Sequence, residues 1–460
     1  MAVWSISSLS SIRSTNRNDA EFFQPTYKKL DDKLNSTTFE KLAHIANITD
    51  GIHASPEIAE NGIQYISAKC VKDNYFVTDH CIKISQKQNE LNIRTQLREN
   101  DIIITTVGTI GNVAVVDKEM LPSNCDRHVG IIRIKEKVNI SPYFISTFLN
   151  SKYGYFQSLR ESAGNVQLNL YVKSIGNIKI PRFKHSEATV SSLTDKAYEL
   201  RRLSEYKYIK AQEILEQELG LDRLKFEKPV GYEANFSEAI FSSRMDAEYF
   251  QPKFIKLIET LTKKAGLIGT TPYKIRELLR SSPKYGTSTK LKYINEGVPF
   301  LRIADLSNIK FEKDNLKYIS SKDAIQEKSA QVNTDDILIS RSGTLGLTVC
   351  VPSELDGSIF GSYFIRLQLN SKINPLYFSF YMNSLAGKMQ VKRYNTGGVQ
   401  TNLTIPAIES FLVVPLRPQK EEHILALLKK SEDCIKESKQ LLEKAKQMVE
   451  DLIEQAAGGT

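Results

Sequence analysis

The chain repeats itself, and the repeat limits its possible folds more than any other feature. Residues 17–25 read RNDAEFFQP, and residues 244–252 read RMDAEYFQP, 227 positions later. Residues 101–112, DIIITTVGTIGN, return at 336–347 as DILISRSGTLGL, 235 positions later. Pro142, Phe144 and Leu149-Asn150-Ser151 are answered by Pro375, Tyr377 and Met382-Asn383-Ser384. VQLNL at 166–170 is answered by VQTNL at 399–403. Lys210-Ala211 and Ile214-Leu215-Glu216 recur as Lys444-Ala445 and Met448-Val449-Glu450. Five matches in one order, with offsets drifting by only eight residues, identify a tandem duplication with a unit near 230 residues.

Each unit has the same plan. Short β-branched strand candidates come first, at 64–67, 101–107, 113–116 and 130–134, with counterparts at 298–303, 336–340, 348–351 and 363–369. Pro142 and Pro375 suit the first turn of a helix, where a missing N–H costs nothing. A last strand is expected to run to Pro181 in one copy and Pro415 in the other. Charged helical segments follow. In 421–456, Ile424, Leu428, Ser431, Ile435, Ser438, Leu442, Ala445, Val449, Leu452 and Ala456 alternate spacings of four and three, a heptad seam. In 187–219 the seam is less regular: Val190, Leu193, Ala197, Leu200, Leu203, Ala211, Ile214 and Leu215. Ala197, Ser204 and Ala211 precede Ser431, Ser438 and Ala445 by 234 positions. Small residues seven apart on both helices favour packing of one on the other over burial against a globular neighbour alone.

Composition narrows the function. In 460 residues, 41% hydrophobic and 25% charged, there is neither the bias of a disordered chain nor an apolar run of membrane-spanning length. Residues 1–17 hold no apolar run suited to a signal peptide, so the expected location is cytoplasmic. Five scattered cysteines with no C-x-x-C exclude a disulfide framework and zinc-finger spacing. A net charge of +9 fits a polyanion partner without requiring one. No P-loop, Pro-Pro dipeptide, Pro-Asp dipeptide, H-E-x-x-H or G-x-S-x-G occurs. The motifs of the common NTPases, amino-methyltransferases, nucleases, zinc proteases and serine hydrolases are therefore missing. Gly108-x-x-Gly111 and Gly343-x-x-Gly346 each lie between strand candidates, which favours a tight inter-strand turn over a nucleotide loop.

R-x-D-A-E-[FY]-F-Q-P, D-I-[IL]-I before G-T-[IL]-G, and G-x-V-Q-x-N-L before a strand, duplicated and each closed by a long helix, together resemble the specificity subunit of type I restriction-modification systems. The resemblance covers nearly all of the chain. It implies an α+β fold in which two tandem target-recognition domains alternate with two long helices paired as an antiparallel coiled coil. The implied division is recognition domain 1–184, first spacer helix 185–222, recognition domain 223–418 and second spacer helix 419–456. Each domain is expected to read one half of a bipartite site on double-stranded DNA. The helices are expected to set the spacer and dock two methyltransferase subunits, with motor-nuclease subunits joining the full complex. The subunit is expected to hold no catalytic residue, metal or cofactor, S-adenosylmethionine belonging to the methyltransferase partners.

Two rivals stay open: a specificity subunit of another phage-defence methyltransferase system, and a coiled-coil scaffold without DNA contact. For the DNA reading, the candidate contacts lie where the copies diverge, apart from Thr109 and Thr344, repeated turn residues whose hydroxyls suit a phosphate. In the first copy they are Thr49, His53, Ser55, Lys69, Thr106, Thr109, Arg127 and His128. In the second they are Lys284, Tyr285, Thr287, Ser288, Lys290, Arg302, Arg341, Ser342 and Thr344. Hydroxylic, basic and turn-forming residues suit phosphate and base-edge contacts, and an ordinary solvated loop is the alternative for each. Gln167, Asn169, Gln400 and Asn402 recur unchanged, which favours holding a turn over reading different half-sites.

Overall fold

The runs IIIT and ILIS, mostly β-branched and apolar, become strands buried along their whole length at the centre of two matching sheets. The computed structural model describes residues 6–458, apart from Asn16, 79–80, 165–167, 227–229, Ser243, 308–309, 312–315 and 395–401. It divides into one unit of Met1–Ser204 with Asp433–Thr460 and a second of Glu205–Glu432. Each unit thus takes one half of each long helix, a different cut from one that sets the helices apart from the domains.

In the first unit the strands are β1 (Ala46–Asp50), β2 (Ile58–Ile66), β3 (Ile102–Thr105), β4 (Val113–Val115), β5 (Ser123–Cys125) and β6 (Val129–Ile134). An antiparallel sheet runs β1-β6-β3-β4. In a second sheet β2 pairs antiparallel with Ile82–Ile84 and parallel with β5. The second unit has β7 (Lys284–Tyr285), β8 (Val298–Leu301), β9 (Ile337–Ser340), β10 (Thr348–Cys350), β11 (Ile359–Phe360) and β12 (Phe364–Leu367). Its sheets repeat the topology, β7-β12-β9-β10 and Lys317–Ile319-β8-β11.

The register repeats as well. Gly130 faces Asp50 and Ile365 faces Tyr285; Tyr65 faces Asn124 and Phe300 faces Ile359. All four pairs are related by the same 235 positions, so this region carries no net insertion. Of the eight residues by which the upstream offset, 227, is smaller, six come from helix Pro252–Ile268, which has 17 residues where Pro25–Asn35 has 11.

Pro142 and Pro375 open helices Pro142–Asn150 and Pro375–Asn383, capped by Ser141 and Asn374. The last strands are Lys179–Pro181 and Leu412–Val413. The second stops two residues short of the expected Pro415, as Tyr273–Lys274, its pairing partner, is only two residues long.

The long helices run Glu187–Leu219 and Pro418–Gly458. In the first unit the early half of one packs on the late half of the other, with Val190, Ala445, Val449 and Ile453 in one core and Ser438 Oγ donating to Ala197 O at 2.7 Å. In the second unit the late half of the first helix, with Ala211, Leu215 and Leu219, shares a core with Ile424, Leu427 and Leu428 of the second helix's early half. The pairing is antiparallel. All six small residues, Ala197, Ser204, Ala211, Ser431, Ser438 and Ala445, are buried. Two seam assignments differ from expectation. Leu203 is 42% exposed, and Thr194 is buried on that helix instead. Beyond Val449 the buried position is Ile453 and not Leu452, two steps of four in succession, as a straight helix at 3.6 residues per turn requires.

Candidate nucleic-acid interface

The motifs that announce the repeat build its frame. Arg17 pairs with Asp19 at 2.6 Å and lies 4.8 Å from the Phe22 ring, while Arg160 covers that ring at 4.2 Å and donates to Phe22 O. Arg244, Asp246, Tyr249 and Arg393 repeat the arrangement, with ring distances of 4.9 and 4.2 Å and an Arg393 bond to Tyr249 O. Two guanidiniums on one aromatic ring fasten the opening segment to the helix ending near Glu161 or Tyr394. Arg160 and Arg393 went unnoticed in the sequence, though their 233-residue offset matches that of Pro142 and Pro375.

The glycine motifs are inter-strand turns. Gly108, Gly111, Gly343 and Gly346 all have φ between 73° and 86°, a region that favours glycine. Thr105 Oγ1 accepts from Asn112 N at 2.9 Å, and Ser340 Oγ from Leu347 N at 2.8 Å. Thr109 and Thr344 are exposed at the turn tips, with Ser342 half-buried beside the second. The leucine closing each VQxNL segment docks on a strand end, Leu170 N donating to Thr106 O and Leu403 N to Arg341 O. Gln167 and Gln400 lie outside the described residues. For Asn169, backbone bonds to Ala163 help hold this turn.

Around those turns backbone pairing gathers candidates from distant parts of the sequence. In the first unit Ile52 N donates to Cys125 O, Arg127 N to Ile52 O, and Thr106 N to His128 O. In the second unit Thr287 N donates to Phe360 O, Ser362 N to Thr287 O, and Arg341 N to Tyr363 O. Residues 49–53, 106 and 126–128 are thus contiguous, as are 284–288, 341 and 361–363. Gly51 and Gly286 permit the crossing, since a Cβ there would meet backbone oxygens at 2.2 and 2.3 Å. Within the first unit Asp126 N donates to Ile66 O at the end of β2, and within the second Gly361 N donates to Leu301 O at the end of β8, which brings Arg302 alongside that rim.

The side chains at these matched rims differ. Asp50 bonds His53 Nε2 at 2.6 Å, Arg94 Nη1 bonds Thr49 Oγ1 and Asp50 O, and Asp126 bonds His128 Nδ1 at 3.1 Å. Burial pushes the Asp50 carboxyl up, but the bonds from His53 and Arg94 outweigh it and hold it below the usual range. In the second unit Tyr285 stands at the Asp50 position under the Arg341 guanidinium, 4.6 Å from its ring centroid, and Tyr363 is 60% exposed. Arg302 is held by Asp305, a fully buried carboxylate, and lies 5.5 Å from the Tyr293 ring.

Thr106 and Thr287 are buried and contribute backbone; Ser55, Lys69, Arg127, Lys284, Ser288 and Lys290 are exposed. Gln88 Nε2 donates to the Ser55 carbonyl oxygen at 2.9 Å. The residues that sequence reading missed are Asp50, Arg94, Asp126 and Tyr363, none of them within a repeated motif. Among the described residues no group of three or more His, Cys, Asp or Glu could hold a metal ion, and no helix is long and apolar enough to cross a membrane.

Comparison with known proteins agrees with this duplicated frame. The model of the family described as type I restriction modification DNA specificity domain matches residues 38–182 and 269–447, one region in each repeat and well over half of the chain. The specificity subunit of the type I restriction enzyme EcoBI of Escherichia coli is 29% identical over 122 residues. That stretch is 26% of this chain and 25% of that protein, so the match spans about a quarter of the relative's length. Among solved structures, the type I restriction-modification S subunit from M. genitalium aligns over 91% of this chain and 95% of its own, at 14% identity and a TM-score of 0.42. The HsdS subunit from Thermoanaerobacter tengcongensis aligns over 92% and 96%, at 14% identity and a TM-score of 0.29.

Proposed function

The chain belongs to the type I restriction modification DNA specificity domain family, and from that premise we propose that it is the DNA-reading subunit of a type I restriction-modification complex. The observation that carries this reading is that both repeats match the family, each over a region that contains its divergent rim. A protein with two copies of one reading frame suits a bipartite site, as dimeric DNA readers pair their symmetry with operator spacing. Tandem copies within one chain are free to diverge, so the two half-sites can be unrelated.

In this reading the subunit performs no chemistry itself. Two methyltransferase subunits dock on it and use S-adenosylmethionine to methylate adenine, and motor-nuclease subunits complete the complex in the cytoplasm. The long helices set the spacer. At 41 residues and a rise of about 1.5 Å each, the second spans roughly 60 Å. Inserting seven residues near both Ser204 and Ser438 keeps the heptad seam and should move the spacer by whole base pairs, leaving both half-sites unchanged.

The test is single-molecule sequencing for methylated adenines in cells with and without the gene. Loss of one bipartite motif is the expected result, and an unchanged methylation map would refute the reading. Binding of the isolated subunit to DNA should weaken with a negative log–log salt slope of several units. A salt-independent affinity would favour the scaffold reading.

A further inference from the structure

Arg341 differs from most of the partly buried arginines. Arg17, Arg133, Arg182, Arg244 and Arg302 each pair with a carboxylate. No side-chain hydrogen bond or ion pair among the described residues involves the Arg341 guanidinium, and its Nε is buried without a partner. Yet the residue is firmly held. Its N–H donates to Tyr363 O at 2.8 Å, its C=O accepts from Leu403 N–H at 3.0 Å, and its guanidinium stacks on Tyr285. Tyr285 is itself fixed opposite Ile365 on β7.

A positive charge left without an acid, on a backbone clamped at both peptide groups, is pre-organised for an acceptor from outside the chain. The Tyr285 ring on one side and a buried Nε restrict the fork, and a planar fork of donors matches two acceptors lying side by side in one plane. On duplex DNA the O6 and N7 of guanine in the major groove are such a pair. A phosphate would also accept these bonds, but it does not require a fixed plane.

Building on the DNA-reading role proposed above, we propose that Arg341, stacked on Tyr285, reads a guanine in the half-site recognised by the second unit. The first unit has Thr106 at the corresponding position, buried, so this contact belongs to one half-site only.

The test uses the full complex and duplexes carrying its methylation motif. One position in the half-site of the second unit should be a fixed G·C pair, and replacing that guanine by 7-deazaguanine, which removes N7, should weaken binding roughly tenfold. Arg341→Ala and Arg341→Lys should lose most of that discrimination while the other half-site keeps its own. Tyr285→Phe should retain the discrimination, and Tyr285→Ala should lose part of it. Thermal unfolding of each variant separates lost reading from lost folding. Two results would overturn the proposal: a half-site without a fixed guanine, or an Arg341→Ala variant that weakens all sequences equally and lowers the salt slope by about one, the signature of a phosphate contact. Failure of the wild-type complex to bind its motif would instead overturn the DNA-reading role itself.

Discussion

Position 50 in the first unit is an aspartate bonded to His53 and approached by Arg94; its counterpart, position 285, is a tyrosine under an arginine. The backbone beneath is the same, down to register and to the glycine that follows. Duplication has preserved strand order, turn glycines and the double-arginine clamp, and has let the rim diverge. One rim is a network of carboxylates, histidines and an arginine, whereas the other presents tyrosines and Arg341, which has no carboxylate partner among the described residues. A frame under common constraint that carries unlike surfaces is what two independent readers need.

The comparison can be broken first in the core. Asp101 and Asp336 are both buried at the start of the central strands, but Arg133 grips Asp101 through two bonds of 2.6–2.7 Å, while Gln368 stands at the matching place beside Asp336. Arg133→Ala leaves the buried Asp101 carboxylate its Arg98 N–H bond but no paired cation, and should cost the first unit about 3–5 kcal/mol. Gln368→Ala should cost the second only about 1 kcal/mol, since Asn333 N and Arg366 still face Asp336. Chemical denaturation of each variant reads the difference, and equal losses would mean that the two buried acids are held alike.

A smaller effect tests the helix pair. Ser438→Leu, at a fully buried position bonded to Ala197 O, should cost about 1–3 kcal/mol through overpacking. Ala211→Leu, equally buried in the second unit, should cost a similar amount. A neutral result at either position would show that the helices there lack the close approach that small residues permit.

Smaller again, Arg94→Ala should weaken binding by about 1 kcal/mol and alter base preference in the first half-site alone. Combined with Arg341→Ala, the losses should add, as distant sites do. Non-additivity would mean that the rims are energetically coupled.

The smallest effect is electrostatic. The Asp50 carboxyl is held below its ordinary value, so its contribution is complete above the unfolded carboxylate pKa and fades as pH falls through the lower folded value. Asp50→Asn should therefore lower the melting temperature slightly at neutral pH and less as the pH approaches that acidic range. Tyr285→Phe in the second unit should show no such dependence.

Much of the frame was legible because it is written twice. The strands at 102–105 and 337–340, the two helix-opening prolines, the glycine turns and the small-residue stripes follow from local pattern checked against its copy. The rim was only partly legible. Asp50, Asp126 and Tyr363 diverge between the copies as the candidate contacts do, but divergence does not say which side chains meet; only the pairing of β1 with β6 and of β7 with β12 brings them to the glycine turns. Arg160 and Arg393 carried the repeat signal, but their role depends on rings 138 and 144 residues away in sequence. Ile453 replaced Leu452 because a strict heptad overlooks the drift of a straight helix.

The most direct test of the central claim is to exchange residues 40–180 for the same region of another member of the family and to map methylated adenines in cells carrying the chimera. Two independent readers on one frame predict that one half of the bipartite motif changes, while the other half and the spacer stay as they were. A change in both halves, or a spacer that shifts with the exchanged region, would contradict that account.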